Sequence, residues 1–494
     1  MSVLRAPKGM SQPPLSDTRW LARVRKDFDL RIEGGFRHPT YGKNVVSIGA
    51  GLPHNDTYDV AKAIQRGSDF ILHQAGRPNS QELACLPSAL SHSLAMKAKI
   101  SAANDRLSKT FNYGSTDGLP IVRESFAALS KKDWNYNFSP DDVLPASGGT
   151  TSLIDSLVKS FENIDGEFAV FVTRPSYTGT VARLSQAKNI RVYSVDLDKD
   201  GMVTESLKKQ IARARKDGLH PAFVIDVPLG HNPMGISYSE ERIHEIYSVI
   251  ANDADLFFVE DDPYGSFLYG GGIKKPPVTF TGIDTEQRVA LFRTASKTDI
   301  PTFRSAFAHS QVRYRLPDGN IVTFKDMMMS AGGMAYMVPN NLSLMMTVAQ
   351  WYEDDLETMG SLWPEAERRT IRYAANRDAL LNSLASNFGD LRGELVDWNE
   401  PTSGFFLRLQ LHQRPLHPGT NSPMTSREIV EWLIDNEFLI TTPMSGFYPK
   451  DARDEQTDIG QNELRLCFSY GSPDDMDEAG RRLAVGIKTL LGLN

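Results

Sequence analysis

The chain has 494 residues, of which 40% are hydrophobic and 23% charged, with a formal net charge of −7. This length can bury a large core and suits two or three domains, while the mild acidity argues against nucleic acid or an anionic membrane as the main partner. Two cysteines, Cys85 and Cys467, exclude a disulfide framework and offer no zinc-ligand spacing, and no apolar run reaches the length of a membrane span.

Residues 1–15 hold three prolines and no apolar stretch of the kind a secretory signal needs, so a cytoplasmic protein is expected. The first 35 or so residues read as an extended arm leading into a helix near 17–28. From about 142 to 308, short apolar runs at 168–172, 222–225, 256–259 and 289–292 alternate with helical stretches. Continuous apolar runs of this length, separated by helices, predict a parallel sheet covered on both faces. Ser237 and Glu240 have capping-box spacing, and Ile243, Ile246, Tyr247 and Ile250 recur on one face of the helix that follows. After about 340 a long helical stretch bearing Trp351, Leu356 and Leu362 is expected to lead into 373–384. A mixed β/α tail then ends in a charged helix near 474–491. The expected division is an N-terminal arm with part of a small domain over 1–60, a large domain over 61–340, and a small C-terminal domain over 341–494.

Ligands of open parallel α/β sheets bind outside the carboxyl ends of the strands, and here each apolar run ends in a polar cluster. The run at 168–172 is followed by Pro175-Ser176-Tyr177, and that at 222–225 by His231-Asn232-Pro233-Met234-Gly235. The run at 256–259 leads to Glu260-Asp261-Asp262-Pro263-Tyr264, and that at 289–292 to Thr294-Ala295-Ser296-Lys297 with Arg304 seven positions on. A lysine at a strand exit, flanked by hydroxyls and a fixed cation, suits an amine that forms a Schiff base with an aldehyde whose anionic tail is held beside it. Upstream, Ser147-Gly148-Gly149-Thr150-Thr151 opens a helix whose apolar face is Leu153, Ile154, Leu157, Val158 and Phe161, an arrangement that offers backbone N–H groups to an anion. It is neither a Walker loop nor a dinucleotide fingerprint. Each cluster has a plain structural reading: a turn, a solvated acidic run, a packing tyrosine, a surface lysine. A single aromatic phosphate cofactor explains all of them together.

The pattern resembles the class I/II aminotransferases of pyridoxal-phosphate (PLP) fold type I, most of all the aromatic, kynurenine and α-aminoadipate group, over residues 48–469. The resemblance implies an α/β fold with a large, mostly parallel sheet sandwiched by helices, plus a smaller α/β domain. It implies Lys297 as the Schiff-base lysine, with Thr294, Ser296, Arg304, Gly149 and Thr150 around the phosphate. Asp261 would pair with the pyridine nitrogen, Asn232 and Tyr264 would bond the phenolic oxygen, and Tyr177 would stack on the ring. Tyr113, opening Tyr113-Gly114-Ser115-Thr116-Asp117-Gly118, resembles the family's tyrosine that reaches the phosphate of the neighbouring subunit, which implies a homodimer. Arg465, in Asn462-Glu463-Leu464-Arg465, resembles the arginine that clamps the substrate α-carboxylate. Gly51 and Leu52 fall in the loop over the substrate.

The implied activity is transfer of an amino group between an L-amino acid, aromatic or large, and a 2-oxo acid, with Lys297, Asp261 and Tyr264 as catalytic residues. Met234 and His231 depart from the family's usual asparagine motif, and Ala306 stands where a glycine is usual. Those departures keep open a PLP enzyme that eliminates, cyclises or oxidises, including the relatives that act on S-adenosylmethionine, and place His231 as a polar group near the substrate face of the cofactor or as a turn residue. A PLP-sensing regulator of transcription is disfavoured, because too few residues precede Val45 for a winged-helix domain. Phe36, Tyr41, Phe447 and Tyr448 are candidates for the wall of a substrate pocket.

Overall fold

The structure is a computed structural model that describes residues 45–493 apart from 50, 52, 55–58, 76–113, 270–275, 317 and 418. The expected helix near 17–28 and the residues Leu52, Cys85, Tyr113, Phe36 and Tyr41 lie outside the described residues.

Eight strands form the main sheet, in the order Val143–Ser147, Ser305–Ser310, Val289–Thr294, Phe257–Asp262, His220–Asp226, Phe168–Arg174, Ile190–Asp198 and Gly201–Met202. All four predicted apolar runs are neighbouring parallel strands here. Their side chains alternate between two cores, as the period of a strand requires. Val170, Val172, Phe257 and Val259 enter one core with the helix Thr150–Glu162, whereas Ala169, Phe171 and Phe258 enter the other. Each fully buried phenylalanine contributes about 2–3 kcal/mol.

The helix Glu240–Ala251 buries Ile243, Ile246, Tyr247 and Ile250, the four positions that its periodicity picks out. Its cap differs from the expected one. Ser239 accepts the Arg242 N–H, while the Ser237 hydroxyl accepts the Gly230 N–H at 3.1 Å and fixes the preceding loop. The stretch carrying Trp351, Leu356 and Leu362 is not helical: helices run Asn341–Ala349 and Trp363–Phe388, with turns between. Leu356 has φ +60, a left-handed conformation that breaks a helix, and Asp355 accepts the amides of Glu357 and Thr358 in a local turn.

A second, four-stranded antiparallel sheet orders Val396–Trp398, Phe406–Leu411, Glu463–Cys467 and Thr442–Pro443. Helices Trp363–Phe388, Ser426–Glu437 and Pro473–Leu490 pack on it, the last two opened by capping boxes at Thr425/Glu428 and Ser472/Asp475. The short strand Val46–Ser47 pairs in parallel with Leu439–Ile440, so an early segment is held by the C-terminal part of the chain. No helix among the described residues is long and apolar enough to cross a membrane.

Candidate active site

Because Val143–Ser147 and the five parallel strands run in one direction, their carboxyl ends share one edge, and the antiparallel Ser305–Ser310 starts there too. Above this edge lies a cavity of about 480 Å³. Gly149, Thr150, Tyr177, Asn232, Asp261, Tyr264, Thr294, Ser296, Lys297 and Arg304 all line it, and so do Gly51 and Arg465 from the other side. Of the residues that the resemblance assigns to the cofactor or the substrate, only Tyr113 and Leu52, outside the described residues, are missing.

The anion end is built around Arg304, held in the left-handed region at φ +53. Its guanidinium donates to Ser296 Oγ at 3.2 Å and to the Gly148 carbonyl at 2.6 Å. Thr294 Oγ1 donates to Ser296 Oγ at 2.9 Å, so the two hydroxyls are set by each other. The glycine turn corrects one expectation. The Gly148 and Gly149 amides donate to the Arg304 carbonyl, leaving those of Thr150 and Thr151, at the start of the helix, to meet an anion. Gly149 has φ +75, and a Cβ there would stand 2.6 Å from Arg304 Nη2.

Asp261, the penultimate residue of the strand Phe257–Asp262, is buried, with Oδ1 lacking a partner among the described residues. Desolvation pushes its carboxyl up to about 7 against the restraint of the Thr150 hydroxyl, with the nearby Asp262 and Asp226 charges adding to the rise. Asp262 takes no part: its carboxylate pairs with Arg293 at 2.6 Å, and that guanidinium lies over the Trp134 ring. Burial, helped by the Arg465 and Arg304 charges, lowers the Lys297 amine to about 8. Its Nζ donates to the Gly51 carbonyl at 2.7 Å.

Arg465 is buried without a carboxylate partner among the described residues, and desolvation depresses its pKa. It donates to Asn232 Oδ1 at 2.9 Å and to the Gly49 carbonyl at 2.7 Å, while Nε has no partner. The rings of Phe406 and Phe447 flank it at 4.3 and 5.0 Å. A desolvated guanidinium with donor capacity to spare, facing a cavity, is a site for an oxyanion. Since Asn232 Oδ1 is committed to Arg465, its Nδ2 is left to donate into the cavity.

The donor set therefore fits PLP. There is an anion cradle at one end, a buried carboxyl with an orphan oxygen for a ring N–H, an amide and a phenol for the ring oxygen, and an amine of lowered pKa between them. His231 corrects the alternative that sequence left open. It is fully buried, outside the cavity, with Nε2 at 3.2 Å from Asp226 Oδ1 and 3.1 Å from Thr173 Oγ1. Tyr238 donates to the other oxygen of Asp226, so the cluster anchors the loop that carries Asn232. Phe447 lines the cavity, but Tyr448 is a core residue whose hydroxyl donates to Glu463. Phe406, Ile440 and Thr442 were missed from sequence, since only strand pairing, such as Thr442 opposite Arg465, brings them there.

The sequence profile of the family described as aminotransferase class I and II matches residues 87–483. Among curated relatives, the chain is 26% identical to the mitochondrial kynurenine/alpha-aminoadipate aminotransferase of Mus musculus, over 78% of this chain and 85% of that one. It is 24% identical to aromatic-amino-acid aminotransferase 1 of Thermococcus litoralis, over 77% and 80%. Among solved structures, a multiple substrate aminotransferase from Thermococcus profundus superposes with a TM-score of 0.70 at 21% identity, covering 97% of this chain and 96% of that one. The Pyrococcus horikoshii kynurenine aminotransferase, solved in complex with PMP, gives 0.67 at 23% identity, covering 94% of each. All four are named aminotransferases, and nothing in them favours the elimination, cyclisation or oxidation reading.

Proposed function

Because the chain belongs to the class I and II aminotransferases, PLP-dependent enzymes of fold type I that act on an amino acid and a 2-oxo acid, we propose that Lys297 is the amine that holds the cofactor covalently and that the preferred amino acid is aromatic or otherwise large. The observation that carries this reading is the convergence of Lys297, Asp261, Asn232 and Arg465 on one cavity from three strand ends and a separate sheet. When bound, PLP supplies an electron sink for the bond broken at the substrate Cα.

The chain's own groups do the rest. Arg304, Ser296, Thr294 and the Thr150 and Thr151 amides hold the phosphate. Asp261 keeps a proton on the ring nitrogen, Asn232 and Tyr264 donate to the ring oxygen, and Tyr177 covers one face. Arg465 grips the α-carboxylate and so fixes which Cα bond stands across the ring. The Lys297 amine would be the base that takes the substrate Cα proton and later returns it. The apolar Phe406, Phe447, Val227 and Ile440 among the lining residues support a large side chain.

A homodimer in which Tyr113 reaches the partner's phosphate belongs to the same proposal. What supports it is the likeness of Tyr113-Gly114-Ser115-Thr116-Asp117-Gly118 to the family's segment that reaches the neighbouring subunit. The experiment for the whole reading is to load Lys297→Ala with PLP and follow the spectrum and turnover with aromatic amino acids. The parent should show visible absorption that converts to the pyridoxamine form with release of a 2-oxo acid. The variant should lose the absorption and fall in rate by at least about 10⁴-fold. A variant that keeps both would refute the assignment.

A further inference from the structure

A second concavity, of about 570 Å³, lies at the opposite edge of the main sheet. It is framed by the amino ends of the parallel strands, at Phe168, His220 and Phe257, and by the hairpin of Arg313–Arg315 with Ile321–Thr323 that follows the last strand. At about 3.3 Å per residue, the six-residue strand Phe257–Asp262 sets this groove roughly 20 Å from the cavity described above.

Its floor is apolar, with Phe161, Phe168, Phe257, Val322 and Met327 among the lining residues. Its rim is cationic. Arg288, Arg313 and Arg315 all line it, and among the described residues none of them makes an ion pair. The one acid among the lining residues, Asp255, lies 3.2 Å from Arg215 instead. The Tyr314 hydroxyl is buried at the same wall without a hydrogen-bond partner among the described residues. Elsewhere the chain couples its arginines closely to acids, as at Arg183 with Asp155 and Glu162 or Arg242 with Asp198. Arg313 and Arg315, together with Arg288, which feels the nearby Asp284 charge but makes no ion pair among the described residues, set three guanidiniums around one apolar hollow on a protein of net charge −7, a local field and a set of forks suited to an oxyanion. The volume falls within the range of small-molecule sites.

We propose that this groove is a second ligand site, separate from the cofactor cavity, for a small amphiphilic carboxylate. Its apolar body would lie on Phe161, Phe168 and Phe257, and its charge would meet Arg313, Arg315 and Arg288. The test uses the PLP-loaded full-length chain titrated with 8-anilinonaphthalene-1-sulfonate, followed by displacement with 4-phenylbutyrate or with the uncharged 4-phenylbutyramide. One saturable probe site per chain is expected, from which the acid displaces the probe at least tenfold better than the amide. The double variant Arg313→Glu, Arg315→Glu, which alters only exposed side chains, should bind the probe at least tenfold more weakly with kcat and KM for transamination unchanged. Equal displacement by acid and amide, or probe binding by the double variant as tight as the parent's, would overturn the proposal. So would the absence of a saturable site.

Discussion

At the scale of single residues, burial decides what the charged groups can do. Arg465 has two flanking rings, an amide and a carbonyl for company but no acid among the described residues, so an incoming carboxylate is the counterion they leave to be supplied. Lysine carries the same charge without the planar fork, and Arg465→Lys should raise KM for the amino acid about 10- to 100-fold while leaving PLP affinity within about twofold. Steady-state kinetics beside a PLP titration checks both. Asp261 gives a pH prediction whose sign follows from its raised pKa. The proton is held more tightly in the folded chain than in the unfolded one. The resulting stabilisation is therefore complete below the ordinary 3.8 and is lost as pH rises through about 7. Cofactor-free protein should thus lose about 2–4 kcal/mol between pH 4 and 7 relative to Asp261→Asn, which cannot titrate. Denaturant melts of both proteins across that window measure the difference. With PLP bound, the same substitution should cut kcat by about 10²-fold or more, because the amide cannot hold a proton on the ring.

At the scale of elements, the sequence was most informative where function sits at a strand end. Each cluster there is contiguous with the apolar run that positions it, so a local reading of residues 147–151, 175–177, 231–235, 260–264 and 294–297 is enough. The helix after Ser239 shows the limit of such reading. Ser237 and Ser239 are equally good caps by type, and the choice was made by Gly230, whose amide takes the earlier serine. The Trp351–Leu362 stretch failed for a related reason, since its apolar residues pack from turns rather than from a helix face. Gly149 is the sharpest local test. Alanine there must adopt φ +75 and push against Arg304, so Gly149→Ala should weaken PLP binding at least tenfold and lower stability by about 1–2 kcal/mol. Fluorescence titration of PLP and a thermal melt report the two effects separately.

At the scale of the molecule, the two sides of the cavity differ in how they are encoded. The proposed cofactor side comes from residues 149–304, all at strand ends along one edge of one sheet. The substrate side is assembled from Gly49 and Gly51, from Phe406 and Thr442, and from Phe447 and Arg465, which share no motif and meet only through long-range pairing. That is why substrate preference was not legible in the sequence while the cofactor was. Gly51 is the joint between the sides: its carbonyl receives Lys297, and a Cβ there would collide with the Phe406 ring that backs Arg465. Gly51→Ala should therefore raise KM for the amino acid at least tenfold and leave the spectrum of bound PLP unchanged. A shifted spectrum with an unchanged KM would contradict that division.

The pairing of Val46–Ser47 with Leu439–Ile440 has a consequence for the order in which the protein is made. Every group assigned to the vitamin has left the ribosome once residue 304 is out, yet the lid over it stays unfastened until a partner strand nearly four hundred residues downstream is synthesised. A nascent chain stalled before that point would be able to hold its coenzyme while having no grip on an amino acid.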